Sequence, residues 1–381
     1  MKYNLILLIT IFCLGYAEDH VSNVVAAQRT DGSRIVDITY DLAVDAVFPS
    51  YTILMEVSSD GGTTYSPTSL RCTGDIGPNV FAGNHSIQWD LGEADTSLFY
   101  FEVELEQMKI KVIAEGHEVL ENLPFEMVNV PAGEYTYGQG DTIKTIPYNY
   151  QVSKYKITNA QYAEFLINAY AEGSVLLSAT TVEGHYAGNQ HFQPGNYLYY
   201  GLGTNTDSYN YGRIDWNGTT FVVPEGYGDH PVVRVSWFGS LAFARYYGLR
   251  LPDEYEWEKA ARGDTGYDYP FGNSINGSQA NYITSGDPWD EGTTPAGFFN
   301  GQTLDGFQTT DSPSPYGAYD MAGNVWEWTH SDNTLFPIVR GGAWNSGMSG
   351  CTSWGQLIYT QVHGTYAYVG FRVSRTTSQA E

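Results

Sequence analysis

From Asp264 to the C-terminus the chain shows no helical period. It is a long run rich in Gly, Tyr, Asn and Asp, broken only by short strand-like stretches. This feature constrains the fold most, because so little regular structure leaves few backbone ladders to hold a domain. Order must come from polar side chains, aromatic packing or metal ions. The chain has 31 Tyr, 9 Trp and 42 Gly, enough for the aromatic and turn components.

Charge narrows the function classes. Lys and Arg total 18 against 43 Asp and Glu, a formal net charge of −25. A nucleic-acid binder needs a basic face to displace phosphate counterions, so that class is excluded, as is adsorption to anionic membranes. At 381 residues there is room for two domains. The N-terminus, MKYNLILLITIFCLGYA, has one Lys before an apolar run and small residues at Gly15 and Ala17. It reads as a signal peptide over 1–17, and predicts a secreted or periplasmic protein without stable membrane insertion. Cys13 leaves with it. Cys72 and Cys351 fall in different predicted domains, so no disulfide is expected between them.

Residues 18–114 alternate with period two. Val36, Ile38, Tyr40 and Leu42 share a face, as do Ile53, Met55 and Val57, and Phe99, Phe101, Val103 and Leu105. Half-buried strands have this pattern. With Asp-Gly turns between them, the stretch predicts an all-β sandwich of the fibronectin-like or immunoglobulin-like kind. The SSDGGTTY run, 58–65, reads as a turn, with a calcium or Asp-box loop as its rival. Residues 115–123 form a linker, and 376–381 a tail.

In 124–375 three helices are legible. Thr158 and Gln161 have capping-box spacing before an apolar stripe of Tyr162, Phe165, Leu166 and Ala169. Ser236 opens a second helix that stops at Gly248. Asp253 and Glu256 cap a third, in which Glu258 and Arg262 are one turn apart and Gly263 ends the run. RIDWNGTTFVV reads as a hairpin with Asn217-Gly218 at its turn.

Several blocks now stand in order: MVNVPAGEYTYG, YKITNAQYAEF, HPVVRVSWFGSLAFARYYGLRLPDEYEWEKAARG, YPFGN, YGAYDMAGNVWEWT, VRGGAW and GFRV. Together they resemble the formylglycine-generating enzyme family, also called sulfatase-modifying factors, over about 125–375. The resemblance implies an irregular α+β domain of the C-type-lectin-like kind. It also implies two structural Ca²⁺ sites. One would use Asn281, the Tyr282 carbonyl, Asp305 and the Phe307 carbonyl. The other would use Asp320, the carbonyls of Gly323 and Val325, and Glu327. Mixed carboxylates and carbonyls suit a hard cation.

The same resemblance implies a copper oxidase that converts a Cys or Ser side chain of a sulfatase to formylglycine. Its metal sits between two thiolates five residues apart, and soft thiolates suit Cu(I). Here Ser346 stands where the first belongs and Cys351 where the second does, and Ala343 replaces a family serine. A hydroxyl is a hard ligand and cannot replace a thiolate for Cu(I). Cys351 therefore reads as a small buried hydrophobe, with a catalytic role as the alternative.

Two further readings have less support. His185 and His191 with Glu183 offer a stray metal set in a loop, and no GxSxG run supports a serine hydrolase. The tyrosine clusters at 197–201, 209–212 and 358–368 are either core or a binding surface. The expected function is a non-catalytic, Ca²⁺-ordered binding or accessory module for a protein or glycan, with a groove at Trp326, Trp344 and Ser346. The alternative is a copper-dependent oxidoreductase of the formylglycine-generating type.

Overall fold

A computed structural model describes residues 20–29, 31, 33, 35–43, 51–67, 72–74, 76–80, 82–90, 109–116, 123–140, 142–186, 192, 195–203, 212–289, 292–304, 306–330, 337–358 and 361–379. The expected signal segment, the strand at 99–105, Asp305 and His191 lie outside these residues. The chain divides into two compact units, residues 1–119 with 187–195, and residues 120–186 with 196–381. Among the described residues no helix is long and apolar enough to cross a membrane.

The first unit is built from β1 (Val21–Gln28), β2 (Ile35–Leu42), β3 (Tyr51–Ser58), β4 (Ser66–Pro67), β5 (Cys72–Gly74), β6 (Gly77–Val80), β7 (Gly83–Asp90) and β8 (Lys109–Gly116). One sheet runs β1-β2-β7-β5, and the other is assembled on β3, which pairs with β4, β6 and β8. Alternation decides the packing. Val36, Ile38, Tyr40 and Leu42 of the first sheet join Ile53, Met55 and Val57 of the second in one buried cluster. Each such side chain contributes about 1.5–3 kcal/mol on full burial. The unit is an all-β sandwich. Cys72 is buried in its core.

The SSDGGTTY loop is ordered by its own atoms. Asp60 Oδ1 accepts from the Thr63 and Thr64 amides at 2.9 Å, and Oδ2 accepts from Thr64 Oγ1 at 2.7 Å. These bonds hold the carboxyl far below the usual range, led by the Ser58 hydroxyl. The turn reading is the one the geometry supports.

The second unit is an irregular α+β domain. Its strands include β9 (Met127–Val130), β10 (Gly133–Tyr137), β11 (Thr142–Ile146) and β12 (Tyr148–Ser153). Its helices are α1 (Asn159–Ala171), α2 (Trp237–Tyr246) and α3 (Glu254–Arg262). Caps fix all three starts. Thr158 and Gln161 close a capping box on α1, Ser236 caps α2, and Asp253 with Glu256 closes a second box on α3. The apolar stripe of α1 stacks on α2 through Tyr162 and Phe243, with ring centroids 5.7 Å apart. Gly239 permits this approach, since a Cβ there would lie 2.6 Å from the Tyr162 hydroxyl.

After α3 the described residues form no further α-helix, only a 3-10 turn at Met348–Cys351. The Asn217-Gly218 pair opens a four-residue connection rather than a two-residue turn: Asn217 Oδ1 accepts from the Thr219 and Thr220 amides at 2.9 Å.

Candidate functional site

The candidate site is built on a four-stranded sheet. Trp326–Trp328 pairs antiparallel with Ile338–Arg340 and parallel with Val369–Phe371, and Gln356–Ile358 forms the outer edge. Buried charges brace it. Arg340 reaches Glu258 at 3.0 Å and Glu254 at 2.9 Å, and Glu258 also lies 3.6 Å from Arg262. Arg250 grips both carboxylate oxygens of Glu256 at 2.6 Å. So α3 buries Glu256, Glu258, Lys259 and Arg262 as well as Trp257. The sequence suggested one pair on this helix, Glu258 with Arg262, which is present at 3.6 Å. The buried network was missed because its arginines come from the RGG block and from Arg250. Their only sequence signal was an arginine embedded in an otherwise apolar, glycine-rich run.

Gly341 and Gly342 turn the chain after Arg340, both at positive φ. A Cβ on Gly342 would lie 2.6 Å from Cys351 Sγ, so the thiol is pressed against backbone. The next residues form a tight turn. The Ser346 amide donates to the Ala343 carbonyl at 2.8 Å, and the Ala343 amide donates to Ser346 Oγ at 3.1 Å. The Ile283 amide donates to the Ser346 carbonyl at 2.9 Å, tying this turn to Asn281–Ser285.

Cys351 is fully buried among Tyr269, Ala280, Tyr282 and Ala322. Burial pushes its thiol up to about 12, opposed by the charge of Lys156. A thiol so raised is a poor nucleophile near neutral pH. Ser346 offers its hydroxyl within its own turn. These residues do not fit a two-thiolate copper centre.

Beside this turn is an open cavity of about 510 Å³, lined in part by Tyr137, Glu258, Trp326, Gly350, Trp354 and Leu357. Trp326 is part of its lining. Ser346, Trp344 and Cys351 are not in its lining. Trp344 is fixed by its amide on the Asn324 carbonyl at 2.8 Å and its indole N–H on the Ala367 carbonyl at 3.4 Å. Gly350 joins the two regions, since a Cβ on it would meet Ser346 at 3.3 Å and the Trp326 ring at 3.7 Å. Burial raises the pKa of Glu258 in the groove wall, while Arg340 opposes the rise. Tyr137, on the rim, is pushed up to about 12 by burial and the Glu254 charge.

Asn281 and Tyr282 of the first calcium set lie next to Ile283, whose amide ties this segment to the same turn, while Asp305 lies outside the described residues. Asn281 is buried, and its side-chain amide donates to the Gly292 carbonyl at 2.8 Å. The Tyr282 carbonyl accepts from the Ser285 amide at 2.9 Å. The second set is already filled by side chains. Glu327 is bound by Lys156, by Arg372 through Nε at 2.6 Å and Nη2 at 3.1 Å, and by the Trp257 indole N–H at 2.9 Å. The Val325 carbonyl accepts from Lys156 Nζ at 2.9 Å, and Asp320 Oδ2 accepts from the Gly297 amide at 2.6 Å. Lys156 joins Val325 and Glu327 and its charge reaches Asp320, and with these groups so engaged the set does not fit a calcium ion.

The tyrosine clusters divide. Tyr199 and Tyr200 are core, and Tyr199 donates to the His185 carbonyl at 2.7 Å. Tyr197 stacks between Phe238 and His363 at 4.1 and 5.4 Å.

A family profile described as "Sulfatase-modifying factor enzyme 1-like domain" matches residues 117–377. The chain belongs to this family. Among relatives of this sulfatase-modifying-factor chain, the formylglycine-generating enzyme of Thermomonospora curvata is 30% identical over 227 residues, covering 53% of this chain and 70% of that one. Inactive C-alpha-formylglycine-generating enzyme 2 of Bos taurus is 34% identical over 145 residues, 36% of this chain and 46% of that one. Serine/threonine-protein kinase Pkn1 of Chlamydia trachomatis is 29% identical over 276 residues, 65% of this chain but 36% of the kinase. The chain thus spans well under half the length of the chlamydial kinases it matches, 22% of one from Chlamydia pneumoniae.

Proposed function

We propose that this sulfatase-modifying-factor chain is a non-catalytic binding or accessory module, exported from the cell, that takes a protein or glycan ligand in the groove beside Trp326. One observation carries the reading. The position for the first thiolate is a serine engaged in its own turn, and the remaining thiol is sealed under Gly342 with its pKa raised. Without a second sulfur, Cu(I) loses the linear ligand pair that suits it. The groove itself has what a ligand site needs: concavity, aromatic walls in Tyr137, Trp326 and Trp354, and a buried carboxylate in Glu258. The relative from Bos taurus whose name calls it inactive supports the same direction. Calcium at Asn281, Tyr282, Asp305 and Phe307 is part of this proposal, as a structural ion only.

Oxygen uptake tests it. The purified, reduced protein is incubated with Cu(I) and a thiol peptide under air. The proposal expects no uptake above the copper-and-peptide background, and expects Trp326→Ala to leave that result unchanged. Stoichiometric uptake that is lost in Cys351→Ala would overturn it.

A further inference from the structure

We propose that the ammonium of Lys156 stands in the place of a calcium ion at the Asp320, Gly323, Val325 and Glu327 set, making this site metal-free by construction. Lys156 lies between β12 and the α1 cap. Its side chain is fully buried, and Nζ donates to both the Val325 carbonyl and Glu327 Oε1. Those are two of the four groups that the metal set would use.

Saturation is the first argument. Glu327 Oε1 accepts from Lys156 and Arg372, and Oε2 from Trp257 and Arg372. A carboxylate has about four lone-pair positions, and all are taken. Calcium needs six to eight oxygens at about 2.3–2.6 Å, so it would have to expel the ammonium.

Charge is the second argument. Asp320 and Glu327 feel the charges of Lys156 and Arg372 and of each other, and all four side chains are buried. Two cations against two anions close the set at neutrality. A divalent ion added here would leave buried excess charge, which is costly away from water. Arg372 is itself fixed by the Ser153 and Tyr319 carbonyls at 2.8 and 2.9 Å, so it cannot swing away to make room.

Calcium stoichiometry and melting temperature, read across variants, test this inference separately from the catalytic reading. Asn281→Ala removes a ligand of the other calcium set. In that background, with Lys156 intact, the inference expects no bound calcium and no change of Tm between EGTA and 2 mM CaCl₂. Adding Lys156→Ala should create one calcium site per chain and a calcium-dependent rise in Tm. Asp320→Asn should abolish that gain. Two outcomes overturn the inference: calcium retained by Asn281→Ala and lost on adding Asp320→Asn, or a folded Lys156→Ala variant that takes up no additional ion. If Lys156→Ala folds only with calcium present, the inference holds. If it does not fold at all, the Asn281→Ala and Asp320→Asn arms decide.

Discussion

His230 shows how one buried side chain sets a pH response. Its Nδ1 lies 2.9 Å from Thr293 Oγ1, and its buried Nε2 has no partner among the described residues. Burial lowers its pKa from 6.5 to about 4, with Arg213 adding to the fall and Thr293 and Asp229 opposing it. The folded ring stays neutral down to about pH 4, whereas the unfolded chain takes up the proton near 6.5. Between those values the unfolded state binds more protons, so stability is lost as pH falls through the window. The effect is on the order of 3 kcal/mol for a shift of this size. Acidification from pH 7 to 4.5 should therefore lower the Tm of the natural protein more than that of His230→Gln. Equal losses would remove His230 from the acid response. At this scale the sequence was informative where chemistry alone decides, as at Ser346, where a hydroxyl replaces a thiol. The burial of Cys351 was also read from the sequence, but the residues that seal it, Gly342 and Ala280, were not, since they lie far apart in the chain.

Elements were legible where their signals are local. The caps at Thr158, Ser236 and Asp253 act within three residues, and each begins its helix where the sequence indicated. Thr158→Ala breaks the capping box, removing the acceptor of the Gln161 amide. It should cost about 1 kcal/mol, read as a lower urea midpoint at unchanged slope. An unchanged midpoint would mean that packing of Tyr162 and Phe165 alone holds the start of α1. Two strands of the sandwich, Ile35–Leu42 and Tyr51–Ser58, were legible for the same reason, because period two needs no partner to be read. The burial of α3 was not. Glu258 meets Arg340 across 82 residues and Lys156 meets Glu327 across 171, and no local pattern encodes such pairs.

The whole molecule combines a net charge of −25 with buried ion pairs in its second unit. Self-repulsion among exposed carboxylates opposes compaction, and salt screens it with a Debye length of about 10 Å at 0.1 M. Buried pairs such as Arg340 with Glu258 are screened much less. Raising NaCl from 10 to 300 mM should therefore raise the Tm in a calorimetric scan, and a fall would show that exposed ion pairs dominate. At this scale the long helix-poor region is explained by what fills it. Aromatic stacking, glycine turns and paired buried charges contribute to its order. The binding reading rests on the same architecture, a rigid irregular frame with an open groove beside a sealed thiol. Its most direct test is a competition titration of the reduced protein with a Cu(I) chelator. The account predicts that the protein cannot compete and that Cys351→Ala behaves identically. One equivalent of Cu(I) held tightly, and lost in Cys351→Ala, would contradict it.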